Sequence, residues 1–341
     1  SAASDVYKRQ VLYHVGSKDE DPERTGFAHF FEHLLFEGTK NIEKGKWFSI
    51  VTGSGGSNNA YTTDDFTYYY ENFPSNNLEL AIWMESERML HPVIDKIGVD
   101  TQNEVVKEEK RMRYDNSPYG KWNEEVKFNL FKFHPYKQTT IGKIEHLDSA
   151  TLDEFLAFHK KYYVPNNAVL TVAGDIDILQ TKKWIKDYFG EIPRGKDIKR
   201  KFPKEPKINE TIKAEAFDTN IQIPAIFLAY RTPKKNSREA RVLDMISTYL
   251  SGGKSSKLYK KLVELNSPEA TLFVTYEDEM PNFIGAYGFG PDGFEYDEYL
   301  QAELIRLRNL VLNQNDLLKN SDELLNLERK ITVFHLSLIH I

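Results

Sequence analysis

Residues Thr25–Gly38 (TGFAHFFEHLLFEG) constrain this chain most, because only a helix sorts them into two coherent faces. At about 100° per residue, Phe27, Phe30, Phe31, Leu34 and Leu35 fall on one stripe, which predicts a core-facing side. His29, Glu32 and His33 cluster on roughly the opposite side. Histidines four apart stand one turn along the same face, so their rings can converge on one ion. Glu32 sits beside both, placed to take a proton from a water on that ion. Gly38 reads as the C-terminal stop of this helix.

Two imidazoles leave a catalytic zinc site one ligand short, since such sites use three protein ligands and keep one position open. Glu109 is the candidate for the third. On a helix expected around Asn103–Asp115 it lies angularly among Val105, Val106 and Met112, inside an apolar stripe. A carboxylate there must be paired or must bind a cation, because a lone buried charge is costly. Glu108 points toward the Lys- and Arg-rich side and suits the surface. Two histidines and a carboxylate favour zinc, with manganese and cobalt also acceptable. A solvated, structural histidine pair is the competing reading. The pattern His-x-x-Glu-His arises by chance in about one in fifty chains of this size, so spacing alone does not decide. His134, His146 and His159 are not spaced for joint ligation and read as structural.

Composition narrows the classes. The chain has no cysteine, which excludes disulfide frameworks, thiolate metal sites and cysteine nucleophiles. That suits an oxidising compartment, and an exported or periplasmic location is expected over a cytoplasmic one. The net charge of −6 argues against a nucleic-acid partner. The short basic run Lys196–Lys201 reads as a solvated linker. No apolar run reaches the roughly 18 residues that would span a membrane.

With 341 residues, one large or two medium domains are expected. Ser1–Gln10 and Leu336–Ile341 resemble adapter-derived tails and are set aside from the fold reading. Strands are expected at Val11–Val15, Phe66–Phe73 and Ala168–Ala173, and helices at Gly26–Glu37, Leu78–Leu90, Asn103–Asp115 and Leu152–Tyr162. A Lys/Pro-rich stretch, Arg194–Ile212, reads as an interdomain linker. Beyond it a strand at Ile223–Tyr230 and a helix at Ser237–Leu250 repeat the opening order. This second copy has no histidine where the first has two. The expected units are 11–200, carrying the metal, and 208–335, metal-free and C-terminally incomplete.

Several ordered motifs extend the helix signal. They are Tyr13–Glu20, His29–His33 with Phe36–Thr39, Gly56–Thr62, Glu104–Glu109, His134–Tyr136, Ile141-Gly142, and Tyr162–Ala168 with Gly174-Asp175. In this order and spacing the first half resembles the inverzincin peptidases of the pitrilysin and insulinase type, which include mitochondrial processing peptidase. The spacing in that family also lands its third ligand on Glu109. The resemblance implies an α+β fold of two similar units, each a mostly antiparallel sheet with helices on one face. Such units pair with two more, on the same or a partner chain, around a chamber. Asn59 and Ala60 would then lie on an edge strand that binds an extended peptide; a turn asparagine is the alternative for Asn59.

Two departures from the family pattern matter. Some relatives carry a supporting glutamate where this chain has Gln102, so any such support comes from a neutral amide. Active relatives also carry an arginine and, seven residues later, a tyrosine that contact substrate or oxyanion. The matching positions fall on Val263 and Ala270, so this chain is expected to need a homologous partner subunit that supplies the pair. The function implied is zinc-dependent endopeptidase. A non-catalytic subunit of the same fold, and a hydrolase of small esters or amides, are the alternatives.

Overall fold

The computed structural model describes residues 6–174, 176–221, 225–234, 237–251, 253–257, 260, 271–276, 283–289 and 337–340. Chain contacts divide it into Ser1–Met112 with His134–Pro203, and Arg113–Phe133 with Lys204–Ile341. The first unit runs β1 (Val6–Tyr13), α1 (Phe27–Leu34), α2 (Trp47–Gly53), β2 (Ser57–Thr62), β3 (Thr67–Pro74), α3 (Leu78–Leu90) and α4 (Lys96–Lys110). After α5 (Trp122–Leu130), which belongs to the second unit, it resumes with α6 (Ile144–Asp148), α7 (Leu152–Tyr162), β4 (Ala168–Ala173) and α8 (Ile178–Phe189).

The four strands of the first unit pair antiparallel in the order β2-β3-β1-β4, which leaves β2 at an edge. The period-2 pattern of β3 shows why the sheet has a wet and a dry face. Thr67, Tyr69, Glu71 and Phe73 are buried, while Tyr68, Tyr70 and Asn72 on the other face are half-buried. The dry face carries a charge, and α3 answers it. Arg88, fully buried, stands 3.4 Å from both Glu71 and Glu85. Its guanidinium lies against the rings of Trp47, Tyr69 and Phe36, at 4.1, 4.3 and 4.5 Å from their centroids. A buried arginine needs such matching, because its desolvation otherwise outweighs its packing.

The second unit holds β5 (Ile212–Glu215), β6 (Ala225–Arg231), α9 (Arg238–Ser251), β7 (Thr271–Tyr276), β8 (Phe283–Phe289) and β9 (Ser337–His340). Its sheet has the order β5-β9-β6-β8-β7 and is antiparallel except between β5 and β9. The chain is thus α+β, with two mostly antiparallel sheets and packed helices. Segment Arg113–Phe133 groups with the second unit, although the sequence reading kept it within 11–200. The reason is local: Trp122 stacks on Phe227 at 5.6 Å, and Arg231 Nε donates to the Leu130 carbonyl at 2.7 Å.

Other element bounds shift for identifiable reasons. β1 runs back to Val6 and pairs Val6–Gln10 with β3, and β9 pairs with β5 and β6, so strand ladders enter both stretches set aside as tails. β1 ends at Tyr13, where Val15 N–H turns back to the Tyr13 carbonyl. The helix expected at Asn103 starts at Lys96, because the Asp95 side chain caps it by accepting from Gly98 N–H at 2.7 Å. Arg200, read as solvated, is anchored: its Nε donates to Asp19 at 2.6 Å and its Nη2 to Asn167 at 3.2 Å. Among the described residues, no helix is long and apolar enough to cross a membrane.

The aromatic core includes a titratable ring. His159 on α7 lies parallel to Tyr163 at 5.3 Å and near Phe31 at 5.7 Å, with its Nε2 buried and without a hydrogen-bond partner. Burial lowers its pKa from 6.5 to about 4. Below pH 6.5 the unfolded chain therefore takes up a proton that the folded chain refuses. We expect wild type to lose stability relative to His159→Phe as pH falls from about 6.5 to about 4, by up to about 3 kcal/mol. Urea denaturation at several pH values measures this; a difference that stays constant across the window would contradict it.

Candidate metal centre

The site is built from α1, and α1 is held from its apolar face and its N-terminus. Phe27, Phe30, Phe31 and Leu34 are buried, as the helical stripe requires, and so is Leu35 just beyond the helix. Phe27 and Phe30 stack on Phe155 of α7 at 4.5 and 4.7 Å, and Phe31 stacks on Phe158 at 5.7 Å. Each buried phenylalanine contributes roughly 1.5–3 kcal/mol of transfer free energy. Tyr69 of β3 donates its hydroxyl to the Phe31 carbonyl at 2.8 Å. This clamp fixes the rotation of α1 about its axis and therefore the aim of the opposite side.

The helix N-terminus is satisfied by a buried carboxylate. Glu20 accepts from Gly26 N–H and Ala28 N–H, each at 2.8 Å. Burial pushes the Glu20 carboxyl well above the usual range, while the two N–H donors pull the other way. Gly26 has φ of 92°, and a Cβ there would stand 2.8 Å from the Ile141 carbonyl. Gly142, with φ of 65°, approaches so closely that its Cβ would lie 2.4 Å from Gly26 N. Only glycine fits either position. His146, read as structural, holds the same entry, with Nδ1 2.9 Å from the Thr25 hydroxyl.

On the free side of α1 the predicted groups meet. His29 Nε2 and His33 Nε2 are 3.3 Å apart. Glu109 of α4 brings Oε2 to 3.1 Å from His33 Nε2 and 3.5 Å from His29 Nε2. Among the described residues, these three form the group of side chains able to hold a metal ion, with one ligand atom each and all within 4.8 Å of one another. Tetrahedral zinc with bonds of about 2.0–2.1 Å sets its ligands about 3.3 Å apart, so the donor set and its spacing both fit that ion. Glu32, the proposed base, accepts from Thr62 Oγ1 of β2 at 2.6 Å.

The surroundings differ in part from the sequence reading. Glu108 is exposed and paired with Arg111 at 3.2 Å, as expected. The apolar stripe around Glu109 is narrower than expected: Val106 is buried, but Val105 is 43% and Met112 67% exposed. α4 packs directly against α1, and beyond Lys110 it widens into a π-type turn, Arg111–Asp115. Gln102 donates to Glu37, which also pairs with Lys44 at 3.1 Å, so its amide acts at the far end of α1. Asn59 is exposed on edge strand β2, where its Oδ1 accepts from Ala60 N–H at 2.9 Å. Val263 and Ala270 lie outside the described residues.

Comparison with known proteins places the chain in a family. Residues 4–143 match the family model described as insulinase, peptidase family M16, and residues 149–320 match the one described as the M16 inactive domain. The zinc protease PqqE of Helicobacter pylori is 33% identical over 307 residues, covering 89% of this chain and 68% of that protein. This chain belongs to the M16 peptidase family. A crystal structure of a protease from Helicobacter pylori superposes with a TM-score of 0.85 at 28% identity, covering 92% of this chain and 76% of that one. The yeast mitochondrial-processing peptidase subunit beta is 27% identical, over 54% of this chain and 40% of that protein. The histidine pair and Glu109 all lie within the first matched region, residues 4–143. The region matched by the inactive-domain model is the one without a histidine pair.

Sequence reasoning missed Glu20 and Thr62. A glutamate seven residues before a helix and a threonine ending a strand carry no local signal of what they touch. Replacing Glu20 by glutamine removes the second acceptor oxygen and strands one buried N–H. We expect Glu20→Gln to lose about 1–3 kcal/mol of stability in denaturant unfolding; wild-type stability would show that the two N–H groups are satisfied otherwise.

Proposed function

We propose that this chain is the metal-binding subunit of a zinc-dependent endopeptidase that hydrolyses extended peptides. The observation that carries the reading is the convergence of His29, His33 and Glu109 from two helices beside a carboxylate, Glu32, fixed by its own hydrogen bond. Zinc held there by the three side chains would supply Lewis-acid polarisation of a carbonyl and a lowered pKa for water. Glu32 takes the proton from the attacking water and passes it to the leaving amine. Asn59 and Ala60, on an edge strand with one unpaired side, line up an extended peptide by strand addition. Gln102 steadies the ligand helix through Glu37.

The chamber and the oxyanion donors come from elsewhere in this reading. A homologous subunit provides the arginine and tyrosine that the sequence at Val263 and Ala270 lacks. A relative named as one subunit of a peptidase supports that division of labour. A non-catalytic role for a subunit of this fold has one observation in its favour, the inactive-domain description of the second matched region. The intact donor set in the first region favours the enzyme.

We expect one tightly held zinc per chain, lost in His33→Ala. Glu32→Gln should keep the zinc and lower peptide hydrolysis by on the order of 10²–10⁴-fold. Atomic absorption and a quenched fluorescent peptide read the two effects separately. Addition of a homologous chain bearing the arginine and tyrosine should raise hydrolysis strongly; full activity of this chain alone would remove the partner from the scheme.

A further inference from the structure

The base of the site is tied to the substrate strand by one side chain. Thr62 is the last residue of β2, and strand alternation separates it from its neighbours: Asn59 and Tyr61 are exposed, while Ala60 and Thr62 are half-buried. Its hydroxyl crosses to α1 and donates to Glu32 Oε2 at 2.6 Å. A glutamate on the polar side of a helix has three side-chain torsions to settle. A β-branched residue on a strand has one, and it is stiff.

The platform under Thr62 is rigid. Thr62 pairs across the ladder with Thr67, whose buried hydroxyl donates to the Val15 carbonyl at 2.9 Å. The turn that follows, Thr63–Phe66, is clamped by buried partners. Ser17 donates to Asp64 at 2.6 Å, Lys18 forms an ion pair with Asp65, and Tyr136 donates to Asp65 at 2.7 and 2.9 Å. Position at the end of β2 is thus set by core contacts, and Thr62 passes it on to Glu32.

We propose that Thr62 is the positioning residue that aims Glu32 and couples it to the edge strand on which the peptide lies. The proposal rests on the reading of Glu32 as general base. A carboxylate held by a short, charge-assisted hydrogen bond is worth more as a base than one that samples several rotamers, because misplacement by about 1 Å costs on the order of 100-fold. Peptide pairing on β2 tightens the strand that carries Thr62, so binding and proton transfer share one element.

The test uses the full zinc-loaded chain, with its partner subunit where activity needs one, and an internally quenched unstructured peptide. Thr62→Val keeps the branched shape and removes the donor. It should lower kcat by about 10- to 100-fold while KM stays within about twofold. Zinc content should stay at one per chain, and Thr62→Ser should restore most of kcat. In a Glu32→Gln background, Thr62→Val should have no further effect on the residual rate, because Thr62 acts through Glu32. Wild-type kcat in Thr62→Val overturns the proposal. So do equal losses in the valine and serine variants, or loss of zinc, each of which marks a packing role. Should Thr62→Val fail to fold, Thr62→Ala takes its place with the same expectations. Full activity of Glu32→Gln would instead defeat the reading of the base itself, a separate result.

Discussion

Everything at this site depends on the packing of one short helix. Phe27, Phe30 and Phe31 pin α1 against Phe155 and Phe158, and the Tyr69 hydroxyl fixes its height through the Phe31 carbonyl. Rotation by one residue position, about 100°, would put Phe30 and Leu34 where His29 and His33 now stand. The apolar stripe is therefore the device that aims the chemistry, and its burial energy holds the imidazoles where they converge. Motifs far along the chain serve the same helix. Gly142 lets a loop touch Gly26, and Asn167 donates to the His14 and Tyr162 carbonyls, closing β1 against the end of α7.

The first unit also buries more charge than its size demands. Glu20 caps α1, Asp65 joins Lys18 and Tyr136, and Arg88 stands between Glu71 and Glu85. None of these is a stability optimum, since apolar residues of similar volume would avoid the desolvation. Their common property is direction. Each hydrogen-bonded group has a defined geometry that a hydrophobic contact lacks, and each borders α1, the β2–β3 turn or the sheet beneath them. Geometry is what a catalytic constellation needs from its support.

The helix and its two faces were legible in the sequence because a period of 3.6 residues is a local property. His29, His33 and Glu32 followed from spacing, and Glu109 from the oddity of a carboxylate near apolar neighbours. That second argument had a partly wrong premise, since Val105 and Met112 are exposed and only Val106 is buried, yet the structure does bring Glu109 beside the two histidines. The partners that aim the site were not legible. Thr62 meets Glu32 across 30 residues, a contact that exists only once β2 lies against α1, and Glu20 meets Gly26 across an irregular turn that no periodic pattern marks. Nor could patterning reveal that Trp122 stacks on Phe227, which moves Arg113–Phe133 into the second unit.

The division between the two units has a physical logic. A site of two imidazoles and a carboxylate cannot be neutral packing, because three polar atoms within 4.8 Å of each other repel unless a cation or shared protons lie among them. A chain selected for stability alone would fill that space with leucine. Retaining the set therefore implies a use for it, and among the described residues the set occurs in the unit whose α1 has the clamp. The repeat in the second unit keeps the strand-then-helix order of β6 and α9 without the histidines. It keeps the part of the pattern that folds, without the polar set that packing alone would not justify.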